Sequence, residues 1–265
     1  MTHVLAAELV RRPVRVLVVG CCGNGSAIAG GLPYLHQAML VHGHRGGLDV
    51  TLMDGDVVSM TNCVRQPFSQ AEIGHSKAVV LISRLNLFWG LDWHAVPEHF
   101  SAETSVDRVD MVIGCVDSRA ARRVIAEKVT GRRSSVRYYL DLGNHSTGGQ
   151  FVLGQPWNWV NRRSATRLRT IAELFPELIE PSLDDDDQPS CSAVEALERQ
   201  ECFVNPTLAN HALALLARLF RYGSIEHHGA FVNVAGQRVQ PLAVDPGVWQ
   251  RLRRRARRAR VYGAA

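Results

Sequence analysis

The 265-residue sequence is poor in cysteine: it contains six, and no two of them are spaced as Cys-x-x-Cys. Two of the six, Cys21 and Cys22, are adjacent. A disulfide framework or a zinc ribbon would require regularly spaced cysteine pairs. We therefore expect neither, predict no structural zinc site, and expect the protein to reside in a reducing cytoplasm.

Long apolar runs are also missing. No stretch of about 18 uncharged apolar residues occurs, so the sequence predicts no membrane-spanning helix. The first 20 residues contain a predicted strand and a glycine turn, so we expect no signal peptide. Hydrophobic residues nevertheless make up 46% of the chain, which is too many for a disordered protein. A chain of this length can bury a sizeable core in one or two domains.

Acidic residues are absent from one end of the chain. The total charge is +5, and the segment 250–260 contains seven arginines and no acid, so the rest of the chain carries −2. Dense arginines can bind nucleic-acid phosphates weakly and in a salt-dependent manner. Weak nucleic-acid contact through Arg251 to Arg260 is one hypothesis, and a solvated terminal helix without a partner is the other. An acidic run at 184–187 is interpreted as a solvated loop or as a dock for a basic partner.

Short β-rich runs alternate with segments of helical periodicity. Strands are predicted at 14–19, 50–53, 93–96, 110–115, 138–142 and 150–153, with helices at 27–41, 77–87 and 118–129. This alternation predicts an α/β, Rossmann-like fold with a mostly parallel sheet and helices on both faces. Further along, the pattern predicts helices at 165–178 and 207–222 and a β-hairpin at 230–244.

These patterns divide the chain into three parts. Residues 1–156 form the predicted nucleotide-binding core, and residues 157–249 form a helical and hairpin part of the same domain. Residues 250–265 form an arginine-rich tail.

The first predicted strand runs into a glycine-rich loop. Gly20, Gly23 and Gly25 are spaced so that the backbone can approach a phosphate and the next helix can point its N-terminus at it. Asp54 ends the second strand, where an acid can bind ribose hydroxyls, but it lies further from the glycines than the roughly 20 residues usual for NAD sites. The loop alone is a weak signal, and a tight turn that binds no ligand is the alternative interpretation.

The segment after Asp54 supplies charged and amide side chains: Asp56, Asn62, Arg65, Gln66 and Lys77. Arg65 and Lys77 can neutralise phosphates, and Asn62 can donate a hydrogen bond to one. Asp117, at the end of a later strand, can hold a magnesium ion. A dinucleotide-binding site needs no such cationic cluster. A site that cleaves a triphosphate does, because it must stabilise the charge on the leaving group. The pattern therefore favours ATP with Mg²⁺.

The order of these residues resembles the ThiF/MoeB/E1 superfamily, whose members activate ubiquitin-like proteins and sulfur carriers. Its pattern is D-x-D-x-V-x-x-x-N-x-x-R-Q, then G-x-x-K, then C-x-D-[NS] with an arginine five residues after the aspartate. The sequence matches at 54–66, 74–77 and 115–118, with Arg122 as that arginine. Segments at 189–192, 195–200 and 205–210 resemble a narrower branch, the ThiF-family protein of the PRTRC cassette. That bacterial gene cluster also encodes a ParB-related protein and a ubiquitin-like protein.

The resemblance implies an adenylating enzyme that uses ATP to convert the C-terminal carboxylate of a ubiquitin-like or sulfur-carrier protein into an acyl-adenylate. The partner would be the ubiquitin-like protein of the same cassette, and the enzyme would be a homodimer. The implied ATP-binding residues are Gly20, Gly23, Gly25, Asp54, Asp56, Asn62, Arg65, Gln66, Lys77 and Asp117. Arg65, Lys77 and Asp117 would be catalytic, with Asp117 holding Mg²⁺ through ATP.

Two positions depart from the superfamily pattern. Cys22 stands where the family has the middle glycine of the loop, and cysteine lacks the backbone freedom of glycine. The N-terminal arginine that the family's dimers contribute to the neighbouring site has no clear match, and Arg11 and Arg12 are the available candidates.

Cys191 is the candidate for a nucleophile that would receive the activated carboxyl group. Ser192 and Glu195 form an S-x-x-E capping box, which predicts a helix start. A thiol at that position would be activated by the helix dipole. The preceding segment 181–191 resembles the crossover loop of E1 enzymes. An exposed cysteine beside an ordinary helix cap is the alternative interpretation, and the other cysteines are expected to be small apolar filling.

Two other function classes remain open. An NAD(P)-dependent oxidoreductase is suggested by the glycine loop, but the cationic cluster and the lack of a Tyr-x-x-x-Lys pair disfavour it. A non-catalytic nucleotide-binding scaffold in plasmid maintenance would use the arginine-rich tail on DNA. Such a scaffold would not need to keep every charged residue of its nucleotide site, yet all of these residues are present here.

Overall fold

The computed structural model describes residues 1–184 and 201–262, with side chains of the last helix up to Ala256. Cys191 and its capping box lie outside the described residues. The strands are β1 His3–Val4, β2 Val14–Val19, β3 Leu48–Met53, β4 His94–Val96, β5 Met111–Gly114, β6 Tyr138–His145, β7 Gly148–Gly154, β8 Ser224–Ile225, β9 His227–Asn233 and β10 Arg238–Ala243. The α-helices are α1 Gly23–Val41, α2 Asn62–Arg65, α3 Lys77–Trp89, α4 Arg119–Thr130, α5 Ile171–Leu174, α6 Val204–Tyr222 and α7 Pro246–Tyr262.

Eight of the strands form one sheet in the order β10-β9-β7-β6-β5-β2-β3-β4. The run from β6 to β4 is parallel, whereas β7, β9 and β10 are antiparallel. The predicted α/β class with a mostly parallel sheet is therefore confirmed. The predicted C-terminal hairpin is β9 and β10, and it extends the same sheet beyond β7 instead of forming a separate layer.

The central strand β2 has the sequence VRVLVV, and all but one of its residues are buried. Such a run of β-branched side chains suits a strand that is covered on both faces. Connections between parallel strands are right-handed, so α1 and α3 lie on one face and α4 lies on the other. The chain leaves β2 toward β3 and leaves β5 toward β6, so the strand order reverses between β2 and β5. Ligands bind at such a reversal in open α/β sheets.

The predicted helix at 165–178 is wrong in most of its length. The structure has one helical turn, α5, followed by a 3₁₀ turn at Pro176–Ile179. Thr170 and Glu173 form a reciprocal capping box, which starts the helix at Ile171. Pro176 then stops it, because proline has no backbone N–H for a helix interior. The apolar spacing in this segment resembled a long helix, but these two local signals are stronger.

The arginine-rich segment belongs to a packed helix. Asp245 starts α7 by accepting a hydrogen bond from the Gly247 backbone at 2.7 Å. Trp249 is 6% exposed and its indole nitrogen donates to His228 Nε2 at 2.9 Å. Ala256 is also buried, so one face of α7 packs on the domain. None of the helices in the described residues is long and apolar enough to cross a membrane.

Candidate functional site

A polar cavity of about 310 Å³ opens at the carboxyl ends of the parallel strands. Its lining residues are Cys22, Gly23, Asp56, Val57, Ser59, Thr61, Asn62, Arg65, Gln66, Lys77, Asp117, Asn144 and Asn205. Seven of the ten predicted nucleotide-binding positions are in this set. The three that are not are Gly20, Gly25 and Asp54.

The glycine loop owes its composition mainly to its own packing. Gly20 has a φ of +91°, and a Cβ there would lie 2.8 Å from the Cys115 carbonyl oxygen. A Cβ on Gly25 would collide with the Gly20 carbonyl, and one on Gly23 would collide with the Asn205 side chain. Only Gly23 reaches the cavity wall. These contacts explain why small residues are required, whether or not a phosphate is bound.

Cysteine is tolerated at position 22, where the family has glycine, because the backbone there has an ordinary conformation. Its φ is −73° and its ψ is −152°, which is an extended conformation that any residue can adopt. Burial raises the pKa of the Cys22 thiol to about 12, and the neighbouring Asp117 carboxylate adds to the shift. The thiol is therefore protonated at neutral pH, which disfavours a role as a nucleophile.

Asp54 holds two loops together. The carboxylate is buried and accepts hydrogen bonds from the Cys21 backbone N–H and from the Asp56 backbone N–H, the latter at 2.8 Å. These bonds join the glycine loop after β2 to the polar loop after β3. Ribose binding by Asp54 stays a prediction, and its carboxylate does not line the cavity.

Lys77 is the most buried cation of the cavity. It is 4% exposed, and its Nζ lies 3.0 Å from Asp56 Oδ2 and 3.4 Å from Cys22 Sγ. Burial lowers the pKa of Lys77, but the hydrogen-bonded Asp56 carboxylate and the nearby Asp54 carboxylate outweigh it, so the pKa is raised and the ammonium stays charged. Ser76 caps the helix that begins at Lys77 and so fixes its position.

A group of three potential metal ligands surrounds this lysine. Cys22, Asp54 and Asp56 each offer a ligand atom, and these atoms lie within 4.8 Å of one another. The Lys77 ammonium already occupies this position with a positive charge, and both Asp54 oxygens accept backbone hydrogen bonds. The group therefore suits an internal ion pair better than a cation site.

The one-turn helix α2 presents Asn62, Arg65 and Gln66 to the cavity. The Asn62 Oδ1 accepts a hydrogen bond from the Ser59 backbone at 2.9 Å. The amide nitrogen of Asn62 is then the group that can donate to a ligand, as the sequence predicts.

Asp117 faces the cavity from the loop that follows β5. Desolvation by the surrounding walls raises its pKa, while the positive charges of Arg65, Arg122 and Lys77 act in the opposite direction. The residue as a whole is nevertheless exposed. A carboxylate that is accessible and partly desolvated binds a divalent cation favourably, so the residues present fit Mg²⁺ held together with a triphosphate.

The loop that carries Asp117 is fixed on both sides. The Arg122 guanidinium donates to Asp141 at 2.9 Å and to the Val116 carbonyl at 3.1 Å. The carboxylate of Asp184 accepts from the backbone N–H groups of Arg119 and Ala120 at 2.7 and 3.0 Å. Asp184 is therefore a cap for α4 and not part of a solvated acidic run. The other residues of the run, 185–187, lie outside the described residues.

Among the six cavity residues missing from the predicted site, Asn144 and Asn205 come from later parts of the chain. Asn144 lies near the end of β6, and the rule that ligands bind at the carboxyl ends of parallel strands could have found it there. Asn205 lies in the first turn of α6, and no signal in the sequence connects it with a loop some 180 residues earlier.

Arg12 is already bound within its own chain. It pairs with both oxygens of Asp110 at 2.6 and 2.7 Å. Asp110 precedes β5, whereas the cavity lies beyond the opposite end of that strand. Arg11 is exposed. A role for Arg11 in a neighbouring subunit's site stays a prediction.

The fold and cavity define an α/β protein with a polar site where the strand order reverses. The model of the ThiF family matches residues 8–136, just under half of the chain. ThiF family members are E1-like adenylating enzymes. The resemblance that the sequence motifs indicated is thereby confirmed at the level of the superfamily.

Solved structures show the same fold over most of the chain. The crystal structure of PaaA superimposes with a TM-score of 0.57 at 15% identity, over 87% of this chain and 64% of that one. The E. coli MccB structure gives 0.55 at 15% identity, over 87% of this chain and 62% of that one. A structure of E. coli MccB with succinimide gives 0.54. The chain thus spans less than two thirds of these proteins, and a comparison with curated proteins finds no match.

Proposed function

We propose that this protein adenylates the C-terminal carboxylate of a ubiquitin-like or sulfur-carrier protein with ATP. The observation that carries the proposal is the convergence of Lys77, Arg65, Asn62 and Asp117 on one cavity at the strand reversal. Two cations and a carboxylate at that place suit a magnesium-bound triphosphate. The ThiF family match over residues 8–136 supports the same chemistry.

In this reaction a carboxylate oxygen of the carrier attacks the α-phosphorus of ATP. The bond from the α-phosphorus to the bridging oxygen of the β-phosphate breaks, and pyrophosphate leaves with that electron pair. No proton has to be removed from the nucleophile, so the enzyme contributes positioning and charge stabilisation. Lys77 and Arg65 would stabilise charge on the phosphates, and Asn62 would donate to a phosphate oxygen. Mg²⁺, held by Asp117, would neutralise phosphate charge.

The same cavity argues against the two alternatives. A nicotinamide dinucleotide carries a pyrophosphate that needs neither a buried lysine nor a magnesium-binding carboxylate. A non-catalytic scaffold could lose charged residues from its nucleotide site, yet here Lys77 is 4% exposed, hydrogen-bonded to Asp56 and among the residues that line the cavity.

The partner and assembly are finer parts of the proposal. The carrier would be the ubiquitin-like protein of a PRTRC cassette, and the enzyme would act as a homodimer. Transfer of the activated carboxyl to Cys191 would be a further step, in which the thiol forms a thioester and AMP leaves.

Exchange of labelled pyrophosphate into ATP tests the adenylation, with and without the ubiquitin-like protein. Carrier-dependent exchange is expected, and Lys77→Met should reduce it at least about 100-fold, because a buried charge that contacts the phosphates is lost. Lys128→Met is the matched control, since Lys128 Nζ binds the Ala102 carbonyl away from the cavity. Folded wild-type protein without carrier-dependent exchange would refute the proposal, and NAD(P) binding without ATP binding would favour the oxidoreductase.

A further inference from the structure

Two tryptophans are exposed on the loop that follows β7. Trp157 and Trp159 are 55% and 56% exposed, whereas Trp93 and Trp249 are 5% and 6% exposed. Tryptophan is mostly buried in folded proteins, so two exposed indoles on one loop need an explanation. We call residues 156–163 the tryptophan loop. Because β7 runs antiparallel to β6, this loop lies at the opposite end of the sheet from the cavity.

Two buried asparagines hold the tryptophan loop in place. Asn158 is 3% exposed and donates from Nδ2 to the Val136 carbonyl at 2.8 Å. Asn161 is 1% exposed and donates to the carbonyls of Val136 and Pro156 at 3.0 and 3.1 Å. The indoles are therefore exposed on an anchored loop, and side chains that are already positioned lose less conformational freedom when they bind a partner.

One face of the Trp157 indole is already covered. The Arg167 guanidinium lies over the ring, 4.8 Å from its centroid. This arginine is 5% exposed, and it donates to the Gln155 carbonyl at 2.7 Å and to Glu173 at 2.6 Å. Because Trp157 is nevertheless 55% exposed, its exposed area belongs to the opposite face and the edge of the ring. A flat aromatic face of fixed orientation can stack on another ring.

The charges on the tryptophan loop are all positive. The Asn158 carbonyl accepts a hydrogen bond from the Arg162 backbone N–H at 3.0 Å, which closes one helical turn. Side chains three and four residues apart on such a turn are neighbours, so Arg162 and Arg163 lie beside Trp159. Both arginines are exposed, and neither forms an ion pair with an acid of the described residues. No aspartate or glutamate occurs from position 142 to position 172.

Stacking faces combined with cations match the chemistry of a single-stranded nucleic acid. Its bases stack on aromatic side chains, and its phosphates bind arginine. A duplex hides the faces of its bases and offers only phosphates to such a loop. The exposed neighbours of the two indoles are Arg162, Arg163 and Ser164. The indoles therefore do not belong to a continuous apolar patch of the kind that a protein partner or a membrane surface would cover.

We propose that the tryptophan loop binds single-stranded nucleic acid, with Trp157 and Trp159 stacking on bases and with Arg162 and Arg163 binding phosphates. The loop and the cavity lie at opposite ends of the sheet, so this binding is an activity additional to the proposed adenylation and does not depend on it.

Binding of the full-length protein to labelled 12-nucleotide strands tests the proposal, with fluorescence anisotropy as the measure of affinity. Trp157→Ala and Trp159→Ala should each weaken binding to oligo(dT) at least about fivefold, because each removes one stacking ring. Their binding to a duplex of the same length should change less than twofold. Trp157→Phe and Trp159→Phe keep a ring and should retain most of the affinity. Phe88→Ala removes an aromatic side chain that is 80% exposed on α3 and is the matched control.

Two further measurements separate stacking from charge. Oligo(dT) should quench the tryptophan emission of the wild type, and oligo(rU) in its place shows whether DNA or RNA is preferred. Replacing both Arg162 and Arg163 with glutamine should keep the quenching at saturation, while the slope of log affinity against log salt falls by about 1.4 for two lost phosphate contacts on a single strand.

Three results would overturn the proposal. The first is folded wild-type protein that binds neither single strand at 50 mM salt. The second is unchanged affinity for oligo(dT) in both alanine variants, with melting temperatures close to wild type. The third is quenching by vesicles of anionic lipid without quenching by either strand, which would assign the tryptophan loop to a membrane surface.

Discussion

The cavity and the outer face of α7 both carry several positive charges, but they are built in opposite ways. The cavity takes Lys77 and Arg65 from separate helices, and the fold holds the Lys77 Nζ 3.0 Å from Asp56. The outer face of α7, which we call the arginine face, consists of Arg251, Arg253, Arg254 and Arg255, all exposed. No acid occurs between positions 246 and 262.

This difference determines what each region can do. Charges held at fixed distances in a partly desolvated cavity can stabilise a defined charge distribution, which catalysis requires. Charges on long, exposed side chains attract any polyanion and are screened by salt. The net charge of +5 thus comes from the seven arginines of residues 250–260, four of which form the arginine face, whereas the chemistry that we propose depends on a few residues in the cavity.

Removal of the Asp117 carboxylate should have the largest effect. Asp117→Asn keeps the shape of the residue but lowers its affinity for magnesium, so we expect a loss of exchange of about 100-fold or more. Because the pKa of Asp117 is raised, wild-type activity should also fall as the pH drops toward the acidic range and this carboxylate is protonated. Asp92→Asn, an exposed aspartate after α3, is the control. A folded Asp117→Asn enzyme with normal exchange at low magnesium would contradict the assignment.

The parts of this site that the sequence predicts are those with local signals. Gly23, Asn62, Arg65 and Lys77 lie next to strand ends or helix starts, which a pattern of alternating strands and helices locates. Of the site residues missed, Asn144 and Asn205 depend on how α6 packs against α1 and β6, and that packing is set by contacts between distant segments. The same reasoning covers the fold: β2 is predicted with its observed bounds, whereas the helix at 165–178 fails because the capping box and Pro176 define a shorter element.

The contact between Trp249 and His228, which holds α7 on the domain, should make folding stability depend on pH. His228 is fully buried, and burial lowers its pKa to about 4 from an ordinary 6.5. The Trp249 indole donates to Nε2, so the proton of the neutral ring is on Nδ1 and is donated to the Leu153 carbonyl at 2.8 Å. Between pH 6.5 and 4 the unfolded chain therefore binds a proton that the folded chain excludes.

The stability that His228 contributes is present above pH 6.5 and is lost as the pH falls through 4. A shift of this size corresponds to about 3 kcal/mol of unfolding free energy. His3, whose pKa burial also lowers, acts in the same direction. Urea unfolding at pH 7.5 and 4.5 measures the difference, and His228→Gln should reduce it while keeping a donor and an acceptor in place. An equal pH dependence in that variant would show that another group is responsible.

Neutralisation of the arginine face should have the smallest effect on catalysis and folding. Replacing Arg251, Arg253, Arg254 and Arg255 with glutamine leaves Trp249 and Ala256 packed, so exchange activity and melting temperature should stay close to wild type. If the arginine face contacts DNA, binding to a short labelled duplex should weaken, and the slope of log affinity against log salt should fall by about 3 to 4 for four lost phosphate contacts. Fluorescence anisotropy between 50 and 200 mM salt measures both quantities.

Arg132→Gln and Arg133→Gln, exposed arginines after α4, provide the charge control. Equal DNA binding by the fourfold variant would exclude the arginine face as a nucleic-acid contact, and a simultaneous loss of exchange would show that the two charged regions are not independent.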